Sequence, residues 1–223
     1  MCVIVIKPKN IKIKRSTLEK MWKANPDGAG IACPLSESTI VSKGYMSLDL
    51  LIKDLEQIQD TSAIIHFRYA THGLTTQAMC HPFVISDNLD EATSLYIETK
   101  KPVLIHNGVI PNFGNNTISD TADIVTRILS KHQSIKDIKD ILKLTNSKYV
   151  LIKDKKITMI GKFEKYKGLL VSNTNFDFQT TRWTTGFNSH NWDNCGTYDD
   201  RLQAELEEQY NYGCGYSNKK YPL

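Results

Sequence analysis

Met1-Cys2-Val3-Ile4-Val5-Ile6 opens the chain with a thiol at the head of an apolar, β-branched run that reads as the first strand. Removal of Met1 would make Cys2 the first residue and give it two reactive groups at once. Its thiol can attack a carbonyl, and its free α-amino group, with an ordinary pKa of roughly 7.7 to 8.0, can act as the base that thiol chemistry needs. A retained Met1 would put an amide where that base should be and leave the chain nearly inactive. A cysteine starting a strand is equally an ordinary packing residue, so the rest of the chain has to decide.

The 223 residues are 40% apolar, which suits one globular domain with a real core. The five cysteines (Cys2, Cys33, Cys80, Cys195 and Cys214) form an odd, scattered set without a CxxC pair. That pattern argues against a disulfide framework and a zinc site, and for a reducing, cytoplasmic compartment. No basic segment precedes the first apolar run and no stretch approaches bilayer length, so neither secretion nor membrane insertion is expected. A net charge of +4 with dispersed lysines gives no nucleic-acid-binding surface. Composition shifts near Ser172. Residues 174–223 hold seven acidic and four basic side chains and ten of the twenty aromatics, so the chain reads as a domain over 1–173 and an aromatic-rich extension over 174–223. The extension would dock a partner or wrap its own domain.

Period-2 patterns predict strands over Val3–Ile6, Gly30–Cys33, Thr39–Lys43, Ser62–Ala70, Pro102–Val109, Tyr149–Ile152, Ile157–Ile160 and Gly168–Ser172. Asp154-Lys155 between two of them suggests a hairpin and hence antiparallel pairing. Helical patterns cover Ser16–Ala24, Ser47–Gln59, Ser119–Lys131 and Ser134–Leu144, with Ser16 and Glu19 spaced as a capping box. The class is α+β with antiparallel sheets.

Two strand ends are chemically dense. Ile64-Ile65-His66-Phe67-Arg68-Tyr69-Ala70-Thr71-His72-Gly73 places Arg68 where its fork can hold a carboxylate, although an isolated arginine is as well explained by a surface ion pair. Val103-Leu104-Ile105-His106-Asn107-Gly108-Val109 offers the Asn107 amide and the Gly108 N–H as two donors for an oxyanion; Asn-Gly is also the commonest turn signal. Asp120, in Ser119-Asp120-Thr121, suits a helix start and equally an ammonium ligand.

Taken in order, Met1-Cys2, Asn25-Pro26-Asp27-Gly28-Ala29-Gly30-Ile31-Ala32, Arg68-Tyr69-Ala70-Thr71-His72-Gly73, His81-Pro82-Phe83, His106-Asn107-Gly108 and Ser119-Asp120-Thr121 resemble the class II glutamine amidotransferases. Their glutaminase domain belongs to the N-terminal nucleophile hydrolases. The resemblance implies a four-layer αββα sandwich, two antiparallel sheets between helical layers, with the cysteine on a central strand facing the pocket. It implies Cys2 as nucleophile with its α-amine as base, and Asn107 with Gly108 as oxyanion hole. Arg68 would hold the substrate carboxylate, Thr71 and His72 would line the pocket, and Asp120 would bind the ammonium. Tyr69 stands where members often carry Trp, and Asp123 is a second candidate for the ammonium role.

The implied reaction hydrolyses the side-chain amide of L-glutamine through a Cys2 thioester, with no cofactor and no metal. Large members pass the ammonia to a fused synthase domain. The expectation here is a stand-alone glutaminase that supplies a separate synthase or ligase. Two rivals are a γ-glutamyl amide hydrolase without an acceptor and a catalytically silent glutamine-binding module.

Overall fold

Every residue of strand β1 (Val3–Lys7) is buried, because β1 lies inside a sheet covered on both faces. The computed structural model describes residues 2–70, 74–132 and 134–177. After β1 come α1 (Arg15–Ala24), β2 (Ala29–Pro34), β3 (Thr39–Tyr45), α2 (Leu48–Gln57), β4 (Ala63–Phe67), β5 (Phe83–Val84), α3 (Leu89–Thr93) and β6 (Tyr96–Thr99). Then follow β7 (Val103–Asn107), α4 (Asp120–Arg127), α5 (Ile135–Lys143), β8 (Lys148–Lys153), β9 (Lys156–Ile160), β10 (Glu164–Tyr166) and β11 (Leu169–Val171). One antiparallel sheet runs in the order β10-β11-β1-β4-β2-β3-β6 and a second in the order β5-β7-β8-β9.

Strand alternation sorts the apolar side chains into three cores. Ile4, Ile6, Ala32, Val41 and Ile64 of the first sheet meet Val103, Ile105, Val150, Ile152 and Met159 of the second. Val3, Val5, Ile65 and Phe67 point the other way, onto Leu18 and Met21 of α1 and Leu51 and Leu55 of α2. Leu104, Tyr149 and Leu151 face outward from the second sheet onto Ala122, Ile124 and Val125 of α4 and Ile138 and Leu142 of α5. The result is the αββα sandwich that the resemblance implies. Burying each such Val, Ile or Leu contributes about 1.5–3 kcal/mol, which is why β1 and β7 are held firmly enough to carry reactive side chains at their ends.

The β8–β9 hairpin turns on Asp154 and Lys155, both with positive φ (50° and 66°), as a type I′ turn requires. Other details depart from the sequence pattern. Ser16 and Glu19 form no capping box: the cap position of α1 is Lys14, without a side-chain cap bond, and Glu19 is taken by Arg15 at 2.9 Å. The predicted strand over Ser62–Ala70 ends at Phe67, where the backbone turns toward the Asp27–Gly28 segment. Strands β5, β6 and β10 and helix α3 lie outside the segments that the sequence pattern marks. Among the described residues no helix is long and apolar enough to cross a membrane.

Of the extension, residues 174–177 are described: Phe176 packs into the core beside α1, and Asp177 pairs with Lys20. Cys195, Cys214 and all of 178–223 lie outside the described residues, as do Met1, Thr71, His72 and Gly73.

Candidate active site

Cys2 stands at the mouth of β1. The register of β1 on β4, with Val3 opposite Phe67, carries Cys2 to the Arg68–Tyr69 end of β4. The backbone N–H of Tyr69 donates to Cys2 Sγ at 3.2 Å, the thiol lies 3.3 Å from the Tyr69 carbonyl, and Asn173 Nδ2 donates to the Cys2 carbonyl at 2.9 Å. Burial pushes the Cys2 thiol pKa up, opposed by the bond to the Tyr69 backbone and the nearby Arg68 charge.

Arg68 is only 3% exposed, so it is no surface ion-pair residue. Its N–H donates to the Gly28 carbonyl at 2.8 Å, and its carbonyl accepts from Asp27 N–H at 3.1 Å. Asp27 Oδ2 accepts from Ala70 N–H at 2.8 Å, so residues 27 and 28 clamp residues 68–70. Gly28 (φ +112°) has no room for a side chain: an added Cβ would stand 2.7 Å from Cys80 Sγ. Thr71 and His72 fall outside the described residues.

Asn107 and Gly108 end β7 on the second sheet. Asn107 Nδ2 donates to Ser172 Oγ at 2.8 Å, while Oδ1 has no hydrogen-bond partner among the described residues. Gly108 has a φ of +151°, and a Cβ there would stand 2.2 Å from Ser147 Oγ. Ser172 Oγ also accepts from Ile4 N–H at 2.9 Å, so one hydroxyl joins the end of β7 to the start of β1.

Asp120 is the first residue of α4, and Ser119 is the cap, its Oγ accepting from Ala122 N–H at 3.2 Å. Asp120 Oδ2 accepts from Ile110 N–H at 2.8 Å and Oδ1 from Thr121 N–H at 2.7 Å. Oδ1 also lies 3.9 Å from His106 Nδ1, beside Asn107. Asp123 faces elsewhere, accepting from Gly114 N–H at 2.9 Å and pairing with the exposed Arg127 at 3.0 Å.

A buried polar cluster of His66, His81, His106 and Thr121 sits behind these residues. His81 Nε2 and His106 Nδ1 reach Thr121 Oγ1 at 3.0 and 2.9 Å, and His66 Nε2 reaches the His106 carbonyl at 3.1 Å. A carbonyl only accepts, so His66 carries its proton on Nε2. A consistent assignment has the Thr121 hydroxyl donate to Asp120 Oδ1, 3.2 Å away, and receive from both His81 and His106. Burial pushes His66 down to about 3 and His106 to about 4, and lowers His81 as well, so all three are neutral at pH 7. Among the described residues no group of three or more His, Cys, Asp or Glu side chains is placed to hold a metal ion.

No protein-family model matches the chain. Glutamine–fructose-6-phosphate aminotransferase (isomerizing) of Shouchella clausii is 36% identical over 103 residues, 46% of this chain and 15% of that protein. The enzyme of the same name from Fusobacterium nucleatum is 28% identical over 134 residues, covering 54% of this chain and 20% of that one. That of Pyrococcus horikoshii is 33% identical over 98 residues, 43% and 14%. Over this stretch the chain is similar to class II glutamine amidotransferases.

The chain matches no more than a fifth of the length of these relatives. A solved structure described as the allosteric regulatory enzyme of purine biosynthesis aligns at 18% identity and a TM-score of 0.49, over 77% of this chain and 41% of that one. At one end of its two sheets the chain gathers a thiol, a buried guanidinium, a side-chain amide beside a glycine N–H, and a buried carboxylate. Ser172, Asn173, Thr121, His66 and His81 are the members of this neighbourhood that spacing did not single out. The one local signal is polar residues interrupting or ending apolar strands.

Proposed function

We propose that the chain is a glutaminase that hydrolyses the side-chain amide of L-glutamine through a Cys2 thioester and supplies the ammonia to a separate synthase or ligase. The observation that carries this reading is Cys2 Sγ held by the Tyr69 N–H beside buried Arg68, with Asn107 and Gly108 at the adjoining strand end. The relatives' names give glutamine as one of their substrates.

The reaction starts from a chain cleaved after Met1. The freed α-amine of Cys2 takes the thiol proton, and the thiolate attacks the δ-carbon of glutamine. The carbonyl oxygen becomes an oxyanion, held by the Asn107 amide and the Gly108 N–H. Collapse expels ammonia, which takes the proton back from the α-ammonium, and leaves a γ-glutamyl thioester. Water then attacks the thioester with the α-amine as base, releasing glutamate and the thiol. Arg68 holds the glutamine α-carboxylate. Asp120, rather than Asp123, attracts the α-ammonium, because its carboxylate lies beside His106, the residue before Asn107, while Asp123 is tied to Arg127.

The test is release of ammonia and glutamate from L-glutamine by protein whose intact mass shows Cys2 first, with Cys2→Ala alongside. Equal amounts of the two products are expected, with loss of at least about 10³-fold in Cys2→Ala. Met1-free protein that binds glutamine without turnover would replace this reading with that of a binding module.

A further inference from the structure

We propose that Ser172 is a positioning residue that aims the Asn107 amide at the reacting carbonyl and locks it to the strand carrying Cys2, an inference that rests on the glutaminase reading. Ser172 follows β11 and is fully buried. Its backbone N–H donates to the Ile4 carbonyl at 2.9 Å while its Oγ accepts from the Ile4 N–H at 2.9 Å, so both polar groups of Ile4 are taken by this one residue. The same Oγ receives Asn107 Nδ2 at 2.8 Å across the gap between the two sheets. Its carbonyl accepts from the Lys148 ammonium on β8, and the next residue, Asn173, donates to the Cys2 carbonyl at 2.9 Å. Residues 172 and 173 thus grip the nucleophile strand at positions 2 and 4 and the oxyanion strand at 107.

The chemistry of a hydroxyl is what makes serine suited to this place. An Asn side chain carries two N–H protons. The bond to Ser172 occupies one and leaves the second for a developing oxyanion. The bond holds the amide at one end, with Nδ2 on Ser172 Oγ. Without Ser172 Oγ, the amide turns freely in a buried space, and its unpartnered Oδ1 can face the oxyanion, where two oxygens repel. Orientation of an oxyanion donor matters far more to the tetrahedral species than to the bound substrate, so the loss falls on kcat.

The experiment is a double-mutant cycle on Met1-free protein, with Ser172→Ala and Asn107→Ala singly and together, reading kcat and KM for glutamine. Ser172→Ala is expected to lower kcat about 10- to 100-fold with KM held within about twofold. In the Asn107→Ala background the same change is expected to alter kcat by less than about twofold, because a residue that acts through Asn107 has nothing left to aim. Equal losses in both backgrounds would reduce Ser172 to a structural role and overturn the inference. If Ser172→Ala does not fold, Ser172→Cys keeps the shape with a weak donor and acceptor; an unchanged kcat in that variant overturns the inference equally. Absence of turnover in the Met1-free parent would overturn the glutaminase reading and this inference with it, whereas turnover with additive losses removes the inference alone.

Discussion

The backbone N–H of Tyr69 points at the sulfur of Cys2 from 3.2 Å, an arrangement that favours the thiolate while the surrounding burial opposes it. Burial is the larger effect and raises the thiol pKa, so Cys2 is neutral at pH 7 without help from a base. Alkylation by iodoacetamide, followed by mass mapping, is therefore expected to quicken steadily from pH 7 to beyond pH 9 at Cys2. Cys33 and Cys80, both buried, should stay unmodified. A plateau already reached by neutral pH would contradict this account of the thiol.

His66 and His106 are neutral in the folded protein, and the sign of their effect on stability follows from that. Each has a folded pKa below its ordinary 6.5, near 3 and 4 respectively. In the window between, the unfolded chain binds more protons, so their contribution is complete above about pH 6.5 and is lost as pH falls. At pH 5 the loss is about 2 kcal/mol for each histidine. Urea unfolding between pH 8 and pH 5 should show this fall, and it should be smaller in His66→Phe. A flat profile would mean that the histidines are already charged or solvent-exposed.

Lys43 illustrates a buried cation with little to hold it. Its ammonium donates to the Ala92 carbonyl at 3.2 Å and lies 3.9 Å from the Phe83 ring centre, and burial lowers its pKa to about 7. A lysine lowered in this way contributes stability above its unfolded pKa near 10.5 that is lost as pH falls toward 7. Lys43→Met, which keeps the stem and drops the charge, is expected to stabilise the fold by about 1–4 kcal/mol at pH 7. The gain should shrink as pH rises to 10. Destabilisation at neutral pH would show that the ammonium is needed where it sits.

Much of this site is readable in the chain, and the unreadable part has a common cause. Cys2, Arg68 and Asn107 stand at the ends of apolar runs, and a run of that kind fixes where its end lies. What a run does not reveal is which strand lies beside it. Ser172 meets Asn107 across 65 positions and His81 meets Thr121 across 40, so the first contact exists only once the two sheets are stacked and the second only once α4 packs beside β5. Arg68 considered singly looks like a surface residue for the same reason, since its backbone is paired with Asp27 and Gly28, some forty positions away, and its 3% exposure arises only in the folded chain. Strand β6 is hard to read because it is a four-residue edge strand of which only Thr99 is buried. At Ser16 a local rule lost to a local competitor, Arg15, which holds the Glu19 that a capping box would use.

Gly108 admits no side chain on two counts. Its φ of +151° lies where L residues are rarely found, and a Cβ would stand 2.2 Å from Ser147 Oγ. Gly108→Ala is expected to cost about 1–3 kcal/mol from the backbone alone, with kcat reduced further because the donor N–H shifts. Adding Ser147→Gly should recover part of the stability by relieving the collision. Unchanged unfolding and turnover in Gly108→Ala would contradict the tight geometry assigned to this strand end.

The central claim is a glutamine-recognising nucleophile at Cys2, and covalent trapping tests it most directly. Met1-free protein is incubated with a diazo-ketone analogue of glutamine and the adduct is mapped by mass spectrometry, with excess L-glutamine and the Cys2→Ala variant as comparisons. The account predicts a single adduct on Cys2, slowed by glutamine and absent from Cys2→Ala. No adduct, or one whose formation glutamine does not slow, would contradict it.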